Sequence, residues 1–278
     1  MPDEQAPGAL DTLVAQVLAS PKYHAVSPSL TRRVGAIELA KAASLKEAVK
    51  ATKNRLHQVA GAYLESPRYD AWLTELRMAF AEGEPAARLA LRRVMRRHAS
   101  TRERLPILDE FYARTLAGLG LFHRVVDLAC GLNPLAIPWL PLAEGADYLA
   151  CDIYSDLATF LNSAFALPGP FSAIYAHAET RDILSDPPDT SNADLVLLLK
   201  TIPCLEQVDR DAGARLLAAI HAPRILVSYP LRTLGGRVVG MERHYDESFH
   251  ALLARVGGSR WRITPHAFAT ELAYLIER

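Results

Sequence analysis

Along the front of the chain, apolar side chains recur at helical spacing. Leu10 to Ala19 reads as a helix halted at Ser20-Pro21. Ser27-Pro28 supplies an N-cap with proline at the first helical position, opening a helix through Leu30, Val34, Ile37 and Leu39. Ser44-Leu-Lys-Glu47 is a capping box predicting a long helix to about Leu64. Two further helices are predicted over Tyr69–Glu82 and Glu84–Arg97. Strand-type alternation is absent from this half.

Behind His98 the pattern changes. A helix near Pro106–Leu119 leads into short apolar runs separated by helical stretches: Arg124–Ala129, Ala146–Cys151, Phe171–Ala176, Ala193–Leu199 and Arg224–Ser228. Such runs predict a parallel sheet with crossover helices. Two last runs, Arg260–Thr264 and Glu271–Ile276, are close enough to pair as a closing antiparallel hairpin. The pattern gives an α/β class: an all-α domain over 1–104, followed by a Rossmann-like domain over 105–278.

Half of the 278 residues are apolar, enough for two cores, and no apolar run reaches membrane-spanning length. The first residues carry Asp3, Glu4 and Asp11, unlike a secretory leader. Cys130, Cys151 and Cys204 are scattered without metal-ligand spacing, so a reducing cytoplasm is expected, and no metal. Net charge is zero but unevenly spread. Residues 1–124 hold 19 Lys+Arg against 13 Asp+Glu, and residues 125–278 hold 12 against 18. A basic front half is the footprint of a polyanion partner. Candidate phosphate contacts are Lys22, Arg32, Arg33, Lys50, Lys53, Arg55 and the cluster Arg92, Arg93, Arg96 and Arg97, some of which only solvate helix faces.

The central chemical motif is Asp127-Leu-Ala-Cys-Gly-Leu-Asn-Pro134, directly after the first strand. Gly131 lets a ligand approach the backbone, and Asn133-Pro134 is expected to open a helix whose amides face the ligand. Asp152, at the end of the second strand, has the spacing of an acid that grips ribose hydroxyls. Asp182, after the third, is placed to meet an adenine amino group. A pyrophosphate would want three glycines here; the single one suits S-adenosylmethionine, which has no phosphate.

The chain resembles the Arm/Rmt family of 16S rRNA guanine-N7 methyltransferases, which confer aminoglycoside resistance. The resemblance rests on His98-Ala-Ser-Thr-Arg-Glu-Arg-Leu105, the Asp127–Pro134 motif, Cys151-Asp-Ile153, Lys200-Thr-Ile-Pro-Cys-Leu-Glu206, Ser228 to Met241 with its Leu-Gly-Gly-Arg-Val-Val-Gly-Met block, and Thr270 to Ile276. It covers nearly the whole chain. It implies a class I methyltransferase fold and guanine 1405 of the decoding-site helix, in the 30S subunit, as target. Arg104 is then expected at the methionine carboxylate of the cofactor, with Ala129, Gly131, Asp152, Ile153, Asp182, Ile183 and Leu199 lining the pocket. Lys200, Arg237 and Met241 fall on positions linked to target binding. Arg181 departs from the Gln expected in close relatives.

Guanine N7 carries a lone pair on the major-groove edge, so no base is needed to deprotonate it. Lys200 is accordingly read as a positioning cation rather than a general base, and alignment as the main catalytic contribution. Pro203-Cys204 resembles a nucleophile pair, but its apolar flanks argue for an inert thiol. The loop 230–241, rich in glycine and arginine, is a candidate to stabilise a base turned out of its stack. A cytoplasmic monomer is expected, releasing S-adenosylhomocysteine. Methylation of adenine 1408 at N1, a small-molecule acceptor, and an inactive ribosome-binding relative remain the alternatives.

Overall fold

A computed structural model gives the fold and describes residues 8–58, 67–207, 209–231 and 241–278. The front helices are α1 (Ala9–Leu18), α2 (Pro28–Leu39), α3 (Leu45–Leu56), α4 (Tyr69–Ala81) and α5 (Glu84–Met95). The caps form as predicted. Ser27 Oγ accepts from Leu30 N–H at the start of α2. At α3, Glu47 N–H donates to Ser44 Oγ (3.3 Å) while the Glu47 carboxylate reaches back to Ala43 N–H (3.2 Å). The helix closes at Leu56, and the predicted extension past 58 falls outside the described residues.

Next come α6 (Ala99–Arg104) and α7 (Leu108–Thr115), and then β1 (Phe122–Leu128), β2 (Leu142–Asp152), α8 (Ser155–Phe165), β3 (Tyr175–Thr180) and β4 (Leu195–Leu199). The chain continues through α9 (Ile202–Glu206), α10 (Ala212–Ala219), β5 (Arg224–Pro230), α11 (Met241–Arg255), β6 (Arg262–Ala267) and β7 (Glu271–Glu277). The seven strands lie in the order β3-β2-β1-β4-β5-β7-β6, the first five parallel and β7 antiparallel to both neighbours. The closing hairpin is therefore present. The order reverses between β1 and β4, the switch point where open α/β sheets leave a crevice at their carboxyl edge.

Alternation along the strands sorts two buried faces. Val125, Leu195, Leu197 and Leu226 join one core with Trp72, Phe111 and Phe160. Val126, Val196, Leu198 and Val227 join the other with Leu216 and Phe249. Helices α4 and α5 thus join the core of the sheet domain, α4 packing on α8 and α5 on the 3-10 run after Gly131, across the sequence position 104/105. Helices α1–α3 keep a core of their own around Leu13, Val17, Leu30, Val34 and Leu56.

Three elements differ from the sequence expectation. The third strand is Tyr175–Thr180 rather than Phe171–Ala176, because Phe171 is held in a turn against Phe80 and Phe165 (ring centroids 5.8 and 5.4 Å). As an edge strand it exposes Tyr175 and His177 and carries no apolar run. The last hairpin's first strand begins at Arg262. After Gly131 there is no α-helix but a 3-10 run, Asn133–Trp139, whose Pro138 cannot donate to a helical ladder. Asn133 does not cap it; its amide turns inward.

Candidate active site

Every singled-out acid and the motif glycine converge at the carboxyl edge. Gly131 sits just past β1 with φ 52°, a left-handed value that glycine adopts without strain. The His98 ring covers this turn: a Cβ on Gly131 would lie 2.8 Å from it. Burial, with the nearby Lys200 charge, pushes the imidazole down to about 4, so it is neutral at physiological pH. Ala129, two residues earlier, also has positive φ (54°).

Asp152 ends β2. Its Oδ2 accepts from Gly131 N–H (2.9 Å), and its Oδ1 accepts from the N–H groups of Ile153 (2.7 Å) and Tyr154 (3.3 Å). Burial raises its pKa, and those three amides oppose the rise by favouring the ionised form. A carboxylate offers about four acceptor sites, so among the described residues one remains on Oδ2 for a hydroxyl donor. This chemistry fits a ribose.

Asp182 follows β3 and is 2% exposed. Arg33 of α2 grips it with a fork, Nε to Oδ2 (2.7 Å) and Nη2 to Oδ1 (3.0 Å). Ser185 Oγ (2.8 Å to Oδ2) and Leu184 N–H (3.3 Å to Oδ1) complete its shell. Ile183 beside it is buried. The neighbouring Arg181 turns elsewhere, pairing with Glu179 (2.8 Å) and Asp186 (2.9 Å).

Leu199 closes β4 and is buried. Lys200 then takes φ 60°, left-handed for a residue with a Cβ, and is 6% exposed. Its ammonium donates to Glu103 (2.8 Å) and Ser100 O (3.1 Å) and lies 3.3 Å from Glu271. Glu271 opens β7 with no exposure and takes a second cation, Arg104. Arg104 donates through Nε and Nη2 to Glu271 and through Nη1 to Asn133 Oδ1 (2.8 Å), with its guanidinium over the Phe111 ring. Despite burial, these two cations hold the Glu271 carboxyl below its usual range. Asn133 Nδ2 in turn donates to Asp127 (2.8 Å), which also accepts from Tyr148 OH (2.7 Å). Three of the five Arg104 N–H groups are engaged among the described residues, leaving one on each Nη for a ligand carboxylate.

The network residues Glu271, Glu103 and His98 were not expected at the site, and Asn133 was expected there only as a helix cap. Only the motif segments around them signalled it, because β7 reads as an ordinary apolar strand. Among the candidate phosphate ligands, Arg32 pairs with Asp11 and Arg55 with Glu38 (3.8 Å), and Lys53 donates to Ser20 Oγ (2.5 Å). Lys22 is exposed and lies over the Tyr23 ring. Met241 begins α11 and is half-buried; Arg237 lies outside the described residues. Cys204 Sγ donates to Lys200 O (3.3 Å).

A family model described as ribosomal RNA methyltransferase (FmrO) matches residues 19–275. The chain belongs to this family. A Frankia casuarinae relative named 16S rRNA (guanine(1405)-N(7))-methyltransferase is 39% identical over 97% of this chain and 94% of its own length. A Micromonospora echinospora relative of the same name is 37% identical over 97% of both chains. Among solved structures, the 16S rRNA methyltransferase RmtF in complex with S-adenosyl-L-homocysteine superposes with a TM-score of 0.78, at 33% identity over 98% of this chain and 99% of RmtF. The 16S rRNA methylase RmtB gives the same TM-score at 29% identity, over 98% of this chain and all of RmtB. The FmrO-family chain thus shares the fold of these methyltransferases, Rossmann-like sheet and front helices together, over nearly its whole length.

Proposed function

We propose that this FmrO-family chain methylates N7 of guanine 1405 in 16S rRNA within the 30S subunit, giving resistance to 4,6-disubstituted deoxystreptamine aminoglycosides. The observation that carries the reading is the gathering of Gly131, Asp152, Asp182, Leu199 and Lys200 along the carboxyl edge of the sheet, in a chain matched over nearly its full length by relatives so named. S-adenosylmethionine, when bound, supplies an electrophilic methyl group on a sulfonium.

The chain's own residues bind and orient. Asp152 accepts from ribose hydroxyls, Asp182 from the adenine amino group, and Arg104 offers its two remaining N–H groups to the methionine carboxylate. Ala129, Ile153, Ile183 and Leu199 wall the pocket. Because guanine N7 needs no deprotonation, a site whose cations are bound to carboxylates suits the reaction: charge is fixed, and alignment with exclusion of water does the rest. Lys200, held by Glu103 and Glu271, is the positioning cation of the site, and Lys200, Arg237 and Met241 take the target-binding roles. Helices α1–α3 serve as the docking module, with Lys22 and the surrounding cations facing phosphates. Among the described residues no helix is long and apolar enough to cross a membrane. A cytoplasmic protein meeting ribosomal subunits is consistent with that.

Expression in a susceptible bacterium tests the reading. Resistance to gentamicin and kanamycin with retained apramycin sensitivity is expected. Apramycin resistance would point to modification at adenine 1408 instead.

A further inference from the structure

The basic residue Arg33 and the acid Asp182 come from opposite halves of the chain, and they meet. Arg33 lies on α2, within the helical module that keeps its own core; Asp182 lies just past β3, at the rim of the sheet. Their contact is a two-pronged fork, Nε to Oδ2 at 2.7 Å and Nη2 to Oδ1 at 3.0 Å, between side chains 24% and 3% exposed. A fork of this kind fixes the carboxylate plane as well as its charge. The start of the same helix is tied to the turn that follows the other acid, Asp152. Ser27 N–H, at the cap of α2, donates to Ile153 O (2.7 Å), and Ser155 N–H donates to Ala25 O (2.8 Å), so residues 25–27 run against the turn that follows Asp152. The start of α2 is therefore seated on the turn after Asp152 through backbone bonds, and the helix reaches Asp182 through Arg33.

We infer that Arg33 is a positioning residue of the cofactor pocket, holding Asp182 in the orientation that receives the adenine amino group, rather than a phosphate contact. This rests on the methyltransferase reading above. The argument is one of acceptor count. Asp182 has about four acceptor sites, and four donors fill them: two from Arg33, one from Ser185 Oγ and one from Leu184 N–H. An incoming amino group must displace one of these. The longest and only neutral backbone contact, Leu184 N–H at 3.3 Å, gives way before a charge-assisted fork does. Arg33 then stays in place while adenine binds. Without Arg33, a nearly inaccessible carboxylate has lost its counter-charge and its plane is no longer fixed, so it turns toward other donors and the acceptor is spoiled. Arg33 is also drawn away from RNA by the same contact, since a guanidinium committed to a buried carboxylate is not presented to phosphates. The seating of the docking helix and the quality of the adenine pocket become one variable.

The test needs no turnover. S-adenosylhomocysteine affinity is measured by calorimetry on the full chain without ribosomes, for the wild type, Arg33→Ala, Arg33→Lys, Asp182→Asn and the Arg33→Ala/Asp182→Asn double variant, with circular dichroism melts as the folding control. Arg33→Ala is expected to weaken binding by about tenfold or more, Arg33→Lys by less, and the double variant no more than Asp182→Asn alone, since coupled partners are not additive. 30S affinity of Arg33→Ala, measured by pelleting, should stay within about twofold of wild type, as expected of a cation outside the phosphate contacts. Unchanged or tighter S-adenosylhomocysteine binding by Arg33→Ala overturns the inference, as do additive penalties in the double variant or a selective loss of 30S affinity. Should Arg33→Ala not fold, Arg33→Lys carries the comparison: affinity equal to wild type is then the overturning result. A wild-type chain that binds no S-adenosylhomocysteine would instead sink the methyltransferase reading itself.

Discussion

Glu271, a carboxylate with no exposed surface, faces Arg104 and Lys200 together. Glu271→Gln would leave Arg104 without a directly paired carboxylate and Lys200 with Glu103 alone among the described residues, and removing one partner of a buried ion network typically costs about 3–5 kcal/mol. Urea unfolding should show a loss of that order. Because its folded pKa is depressed, Glu271 contributes stability above the unfolded carboxyl range and loses it on acidification. Asp127 behaves oppositely. Burial pushes it from 3.8 to about 6, so its ionisation opposes folding, and stability drains as pH rises between those values. Asp127→Asn is expected to remove that slope, worth about 3 kcal/mol by the size of the shift, in unfolding curves taken from pH 4 to 7. Gly131→Ala places a Cβ 2.8 Å from the His98 ring at a φ of +52°. The left-handed backbone alone costs about 1–2 kcal/mol, and calorimetry should show S-adenosylhomocysteine affinity falling with it. At this scale the sequence disclosed the acids and the glycine, since their spacing after apolar runs is a signal. Glu271 was invisible because its partner is remote in the chain, Arg104 being 167 residues away, and Asn133 was legible only as a helix cap because its bonds to Arg104 and Tyr112 span 29 and 21 residues.

Elements were legible where a local rule decided them. Ser27-Pro28 and the Ser44–Glu47 box placed the starts of α2 and α3 because a cap bonds only within its own turn. Ser44→Ala should cost about 1 kcal/mol in urea unfolding. Its effect on S-adenosylhomocysteine binding should be negligible, since no α3 residue contacts Asp152 or Asp182 among the described bonds. Central strands were equally legible, with β4 (Leu195–Leu199) buried on both faces. The failures came where tertiary packing overrode local composition. Phe171 looks like strand but anchors a turn, while the polar His177-Ala-Glu-Thr180 stretch forms the edge strand through its register with Leu149–Asp152. Likewise Asn133-Pro134 looks like a helix start, but Asn133 is drawn inward by Asp127, Arg104 and Tyr112.

For the whole molecule, a zero net charge conceals a basic front half, and the fold narrows which cations can face a polyanion. Arg32, Arg33, Arg55, Arg92 and Arg93 already have carboxylate partners, whereas Lys22, Lys50, Arg96 and Arg97 are exposed. If Lys22 meets a phosphate, Lys22→Ala should weaken 30S binding and make the dependence of log affinity on log salt shallower by about one. Arg93→Ala, which breaks an intramolecular pair with Glu75, should leave the slope unchanged. Packing against α8 and the 3-10 run, which no local sequence signal shows, sets α4 and α5 apart from α1–α3, the module that also borders the two acids. The central claim is that this molecule delivers a methyl group to the N7 edge of one guanine. The most direct measurement is borohydride–aniline cleavage and primer extension on 30S subunits after incubation with the purified chain and S-adenosylmethionine. A single new stop at position 1405, dependent on both enzyme and donor, is the predicted result; subunits that incorporate labelled methyl without cleavage there would contradict it.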